Sequence, residues 1–99
     1  MDAATFNKVL ESRISKIRDT LVAKAAEYAT ADRLYNFKAG AELSGKGPKE
    51  VCWDYMVKHL VSISDMARGV RPVTPASIDE KIGDAINYLI LLEALFHEP

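Results

Sequence analysis

Three groups of polar side chains in this chain of 99 residues have types and spacings suited to chemistry. Glu80, Asp84 and Asn87 stand at i, i+4 and i+7, with Lys81 among them, in a stretch (Asp79 to Leu92) that is otherwise mostly Ile, Leu and Ala. That spacing lines one stripe of a helix. A helix this apolar expects burial on most sides, where unpaired carboxylates are costly, so the stripe either faces solvent or lines an interior polar site. Lys58, His59, Ser62 and Asp65 form a second group, in which Lys58, Ser62 and Asp65 repeat the same spacing. Lys24, Glu27, Tyr28, Asp32, Arg33 and Asn36 form a third. If the helices carrying the first two groups pack antiparallel, Lys58, His59 and Ser62 approach Asp84 and Asn87. A cation, an amide, a hydroxyl and carboxylates inside a helical bundle suit a phosphate-bearing polar ligand, with or without a metal. The competing expectation is a salt-bridge network between Lys58 and Asp84 or Glu80 that sets helix register. His59 alone is more often a hydrogen-bonded helix residue than a ligand or base. Cys52 and His59 could share a helical face, but nothing beside them activates a thiolate.

Helices must position these groups. Phe6, Leu10, Ile14, Ile17, Leu21, Ala25 and Tyr28 recur at steps of four and three, predicting a first helix from about Thr5 to Tyr28 with this stripe as core. A helix that long needs tertiary or intersubunit packing. The pattern breaks at Ala29 to Asp32, and a short segment from Arg33 to Leu43 offers Leu34, Phe37 and Ala41 as its apolar side. Ser44-Gly45-Lys46-Gly47-Pro48 reads as a turn; it lacks the spacing of a Walker phosphate loop. A third helix, from about Pro48 to Arg68, uses Cys52, Met56, Leu60, Ile63 and Ala67 as its apolar face. The last starts at Thr74-Pro75 or at Ser77, whose spacing to Glu80 matches a capping box. Its expected buried face is Ile78, Ile82, Ala85, Leu89, Leu92 and Phe96, widened by Ile86, Ile90 and Leu95. No segment reads as a strand. The fold class is therefore all-α, a bundle of three longer helices and one short one in a single domain over residues 1–99. Wide apolar faces on two helices point to a second layer from another copy, a homo-oligomer.

Composition excludes several classes. The chain is 48% hydrophobic and 27% charged with a formal net charge of −1, an ordinary globular balance. No global field draws it to double-stranded nucleic acid or an anionic membrane. One cysteine rules out an intramolecular disulfide or a cysteine-rich zinc site and fits a cytoplasmic setting. The first residues lack the basic-then-apolar pattern of a signal peptide, and the most apolar segment, Ala85 to Phe96, is too short to span a bilayer.

Lys24-Ala25-Ala26-Glu27-Tyr28, Asp32-Arg33-Leu34-Tyr35-Asn36-Phe37, Trp53 with Lys58-His59-Leu60-Val61-Ser62, and Asp79 to Leu92 make most of the chain similar to small phage proteins termed nucleotide-modification-associated domains. Glu80-Lys81-Ile82-Gly83-Asp84 and the following Ala85-Ile86-Asn87-Tyr88-Leu89 also resemble the second metal helix of MazG-like all-α NTP pyrophosphohydrolases. That family holds magnesium with two acid pairs on facing helices. Here Lys81 stands where a glutamate belongs, and the facing helix offers Lys58, His59 and Ser62 in place of two glutamates. Magnesium requires hard oxygen ligands, whereas lysine neutralises phosphate directly. The resemblance, so modified, implies a phage-type protein of the infected cell's cytoplasm. It would bind a nucleotide, including a cyclic immune signal, without turning it over and without a cofactor. Arg33, Lys58, His59 and Lys81 would meet phosphate, and Asn36, Asp84 and Asn87 would read base or ribose. Tyr28, Phe37 or Trp53 would stack, with Lys24, Glu27 and Ser62 completing the set. The alternative is a divergent pyrophosphohydrolase holding Mg2+ with Glu80, Asp84 and Asp65, aided by Glu27. A third is a structural or interaction module in which all three clusters are ion pairs.

Overall fold

The computed structural model of the chain describes residues 1–27 and 30–99, and every regular element among them is helical. Helix α1 spans Ala3–Lys24 and tightens into a 3₁₀ turn at Ala25–Glu27. Asp2 starts it: its carboxylate accepts the Thr5 N–H at 2.8 Å, satisfying one of the first turn's orphan donors. Tyr28, given a stacking role from sequence, and Ala29 lie outside the described residues.

Asp32 builds the entry to α2, Tyr35–Ser44. One carboxylate oxygen accepts the Leu34 N–H at 2.9 Å and the other accepts Lys38 Nζ at 2.7 Å. Lys38 also pairs with Glu98 at 2.8 Å, tying this turn to the end of the last helix. The helix stops at Gly45, whose φ of 72° is the left-handed conformation that glycine adopts without a Cβ penalty. Pro48 then opens α3, Pro48–Ala67, so the turn between the helices is Gly45 to Gly47.

The last helical run has three parts. Thr74 and Ser77 cap each other around one α-turn, Pro75–Ser77, settling the start that sequence left open between them. A π-helical segment follows, Ile78–Ile82, and then α4, Gly83–His97. In the π segment neighbours along the axis are five residues apart rather than four. That displaces everything before Gly83 from the phase an unbroken α-helix would give it.

α3 and α4 run antiparallel: Cys52 Sγ donates to the Tyr88 carbonyl at 3.5 Å, and His59 Nε2 lies 3.9 Å from Asp84 Oδ2. α1 runs parallel to the last helix, with Arg13 beside Asp79 and Leu21 beside Leu91. The core is Leu34, Phe37 and Ala41 of the α2 region, Val51 and Cys52 of α3, and Leu95 of α4, with Tyr88, Leu91, Leu92 and Ala94 packed against it. Met56 on α3 is also fully enclosed, so truncating it to alanine costs about 2–5 kcal/mol.

Two expected core faces are not covered. α1 contributes no buried residue: Ile17 and Leu21 are half-buried, while Phe6, Leu10 and Ile14 are exposed. On α4 the buried side is Ala85 and Leu95 with Tyr88, Leu91 and Leu92, and Leu89 and Phe96 of the expected stripe are exposed. The physical reason is the same for both. Each helix is apolar on a wider arc than its neighbours in this chain can cover.

Candidate functional site

Where α1 ends, α2 begins and α3 passes α4, the chain leaves a cavity of about 240 Å³. α1 and its 3₁₀ turn supply Leu21, Lys24 and Glu27, and α2 supplies Asn36 and Phe37. Tyr55 comes from α3, and Asp84, Asn87, Tyr88 and Leu91 come from α4. One side is an aromatic cluster: the Phe37 ring sits 5.9 Å from Tyr55 and 6.5 Å from Tyr88, the latter nearly edge-on, and Tyr88 lies 5.6 Å from the His59 ring. Tilted and edge-on contacts at these distances hold rings firmly, so this wall is pre-formed. A second cavity, about 180 Å³, adjoins the first between α1 and the last helix, and the two share Asp84 and Asn87. Its other polar residues are Arg13, Lys16, Thr20 and Asp79.

Asn87 is the pivotal group. It is 9% exposed, lines both cavities, and its Oδ1 has no hydrogen-bond partner among the described residues. Leaving a buried acceptor unpaired costs about 1–3 kcal/mol. The oxygen itself is enclosed in this conformation, so a molecule in either cavity meets it only after a side-chain rotation. His59 Nδ1 is likewise buried and unpaired among the described residues. At 3.9 Å, its Nε2 is too far from Asp84 for a hydrogen bond.

The structure brings together Lys24, Glu27, Asn36, Asp84 and Asn87 from the residues singled out by sequence. Others lie elsewhere. Arg33 lines a separate groove and donates to the Leu21 carbonyl at 2.7 Å, bracing α1 against the start of α2. Lys58 is exposed, because the residue facing α4 is its neighbour His59, one position and about 100° further round the helix. His59 stands behind Tyr88 and is not part of the cavity lining. Ser62 is buried, and its hydroxyl donates back to the Lys58 carbonyl at 3.1 Å. Lys81 pairs with Glu80 at 3.1 Å, and that ion pair holds the Glu80 carboxyl below its ordinary range. Of the aromatics, Phe37 reaches the cavity and Trp53 is exposed on α3.

The acidic stripe also reads differently in space. Asp79, not Glu80, shares a cavity with Asp84 and Asn87, while the Glu80 side chain is 61% exposed. The π segment explains it: with five residues per hydrogen-bonded step, Asp79 takes the position below Asp84 that an α-helix would give to Glu80. Asp79 is bonded by Arg13 at 2.7 Å and Lys16 at 3.0 Å, and the hydrogen bonds from Lys16 and Arg13 lower its pKa. The Arg13 guanidinium reaches it across Gly83, where an added Cβ would lie 2.8 Å from Arg13 Nη1.

Glu80 is turned outward onto Lys81, and among the described residues no group of three or more His, Cys, Asp or Glu side chains, Asp65 and Asp84 included, is placed to hold a metal ion. Cys52 is wholly buried, and desolvation pushes its thiol up to about 11.

Sequence did not select Tyr55, Tyr88, Arg13, Lys16, Thr20 or Asp79. Tyr55, 41% exposed, and buried His59 stand four apart along α3, a signal available in principle. The Arg13–Asp79 pair joins residues 66 apart in sequence and left no local trace. Comparison of the chain with protein-family models, curated proteins and solved structures finds no match.

Proposed function

We propose that the chain binds a nucleotide in the cleft between α1, α2, α3 and α4 and holds it without hydrolysing it. The observation carrying this is Asn87, a carboxamide buried in a cavity wall with its oxygen unpaired among the described residues. Around it stand Asn36, an aromatic wall and Lys24. Carboxamides read the edges of bases, aromatic rings pack on their faces, and lysine is a point charge for phosphate. Either cavity alone is smaller than the roughly 300 Å³ at which ligand pockets begin. The two lie side by side, and Asp84 and Asn87 line both. Base and sugar take the aromatic cavity, and phosphate takes Lys24 or the notch held by Arg13 and Lys16.

The sequence likeness to phage proteins extends the ligand class to cyclic immune signals and the setting to an infected cell, where holding the ligand intact would deplete it. The placement of Glu80, Asp84 and Asp65 favours binding over metal-assisted hydrolysis. Isothermal titration against a panel of nucleoside mono- and triphosphates and cyclic nucleotides tests the reading, followed by chromatography of the recovered ligand. The expected outcome is saturable heat with at least one of them, intact recovery, and at least a tenfold affinity loss on Lys24→Ala. No heat from any panel member refutes binding. Release of phosphate or pyrophosphate with added Mg2+ or Mn2+ refutes the absence of turnover.

A further inference from the structure

α1 is 22 residues long and buries none of them, yet it carries Lys24 and leads into Glu27, two residues of the cleft. In proteins most of a helix's stability comes from the packing of its apolar face. Here the face is only half held. Ile17 and Leu21 rest against the last helix, while Phe6, Val9, Leu10 and Ile14 are 56%, 56%, 44% and 40% exposed. These four stand at i, i+3, i+4 and i+8, the pattern of a helix stripe facing a core. On the Val9 side the stripe continues into a mainly apolar groove of about 450 Å³ with Ile78 and Ile82.

The area says what covers it. The chain exposes 6842 Å². A compact monomer of its 11.0 kDa exposes about 5,600 Å², a surplus of about 1,200 Å². Its radius of gyration, 15.3 Å, likewise exceeds the roughly 12.6 Å of a compact domain this long. A standard interface takes about 800 Å² from each partner and an obligate homodimer about 1,000 Å² or more, so the surplus is of the size that one self-association would remove. The exposed stripe of α1 and the groove beside it are mainly apolar, as in an obligate homodimer whose interface resembles a core cut in two.

We infer that a second copy of this chain packs on the amino-terminal half of α1 and the Ile78–Ile82 groove. Two-fold pairing there covers Phe6, Val9, Leu10 and Ile14 of both copies and clamps α1 against the body. Because α1 is one wall of the cleft, association also fixes the positions of Leu21 and Lys24. This inference stands on exposed area and helix packing and is independent of what the cleft binds.

Sedimentation equilibrium of the full chain from 5 to 200 µM, with amide hydrogen exchange of residues 17–24, tests it. The wild type is expected at about 22 kDa, twice its chain mass. Leu10→Glu with Ile14→Glu is expected to weaken association at least a hundredfold and to speed exchange across 17–24 at least tenfold. Both sites are already exposed in one copy, so the variant keeps its fold, as circular dichroism will show. Val22→Glu, on the far side of α1, and Leu43→Glu are expected to change neither readout. A wild type that is monomeric at 200 µM overturns the inference. So does a double variant that stays dimeric, or a dimer equally disrupted by Leu43→Glu.

Discussion

Replacing Asn87 with leucine separates a residue kept for a ligand from one kept for the fold. The buried Oδ1 has no partner among the described residues, so folding strips it of water without return, at a cost of about 1–3 kcal/mol. Leucine removes that cost and packs apolar surface in nearly the same volume, beside Tyr88 and Leu91. The net expectation is a gain of about 1–2 kcal/mol, which for a domain of this size raises Tm by about 4–16 °C. Binding should move the other way, because the buried carboxamide of the cleft is gone, and nucleotide affinity should fall at least thirtyfold. Urea denaturation followed by circular dichroism, at one fixed protein concentration, reads the first arm as a higher midpoint with an unchanged slope. Titration calorimetry reads the second. If Asn87→Leu instead lowers stability by 1 kcal/mol or more, the oxygen is bonded in solution and the residue is structural. If stability rises while affinity stays within threefold, Asn87 does not face the ligand.

Two further outcomes follow from the titratable groups. Asp79 has its pKa lowered by Lys16 and Arg13, so the stability it contributes is present above the ordinary carboxyl value of 3.8 and is lost as pH falls through its lower folded value. Wild type should therefore exceed Asp79→Asn in urea midpoint at pH 7, the gap should narrow as pH falls below 3.8, and a gap that does not narrow at all on acidification would contradict the assignment. Cys52, fully enclosed and with its thiol pushed up to about 11, should react with a disulfide reagent at pH 8 only at the rate of global unfolding; fast labelling of the native protein would show that α3 and α4 part locally.

Helix positions were legible because they rest on short-range patterns. Pro48, the Thr74–Pro75 pair and Gly45 act within one turn of themselves. Asn87 was legible for a related reason: an amide on a greasy stripe is conspicuous whichever way the helix faces. What could not be read was rotation. Lys58 and His59 differ by one residue, and only the packing against α4 selects between them. Glu80 and Asp79 differ by one residue too, and the choice depends on a wide turn that no residue in Ile78-Asp79-Glu80-Lys81-Ile82 announces. Arg33 carries the charge expected of a phosphate ligand, but its guanidinium meets the carbonyl of Leu21, twelve positions earlier, a contact set by how α1 folds back.

The wide turn at Ile78–Ile82 also makes the chain's length, not only its composition, a determinant of the site. Removing one residue there would let the run close into uninterrupted α-helix, which is locally comfortable. It would also turn the part ahead of Gly83 by about 100° and shift it by about 1.5 Å relative to α4. Asp79 would leave Arg13 and Lys16, Ile78 would leave the groove beside Val9, and Asp84 and Asn87 would keep their places facing a different neighbour. Substitutions within the segment leave that geometry largely intact. Variation in this protein should accordingly be freer in letter than in count between Pro75 and Gly83.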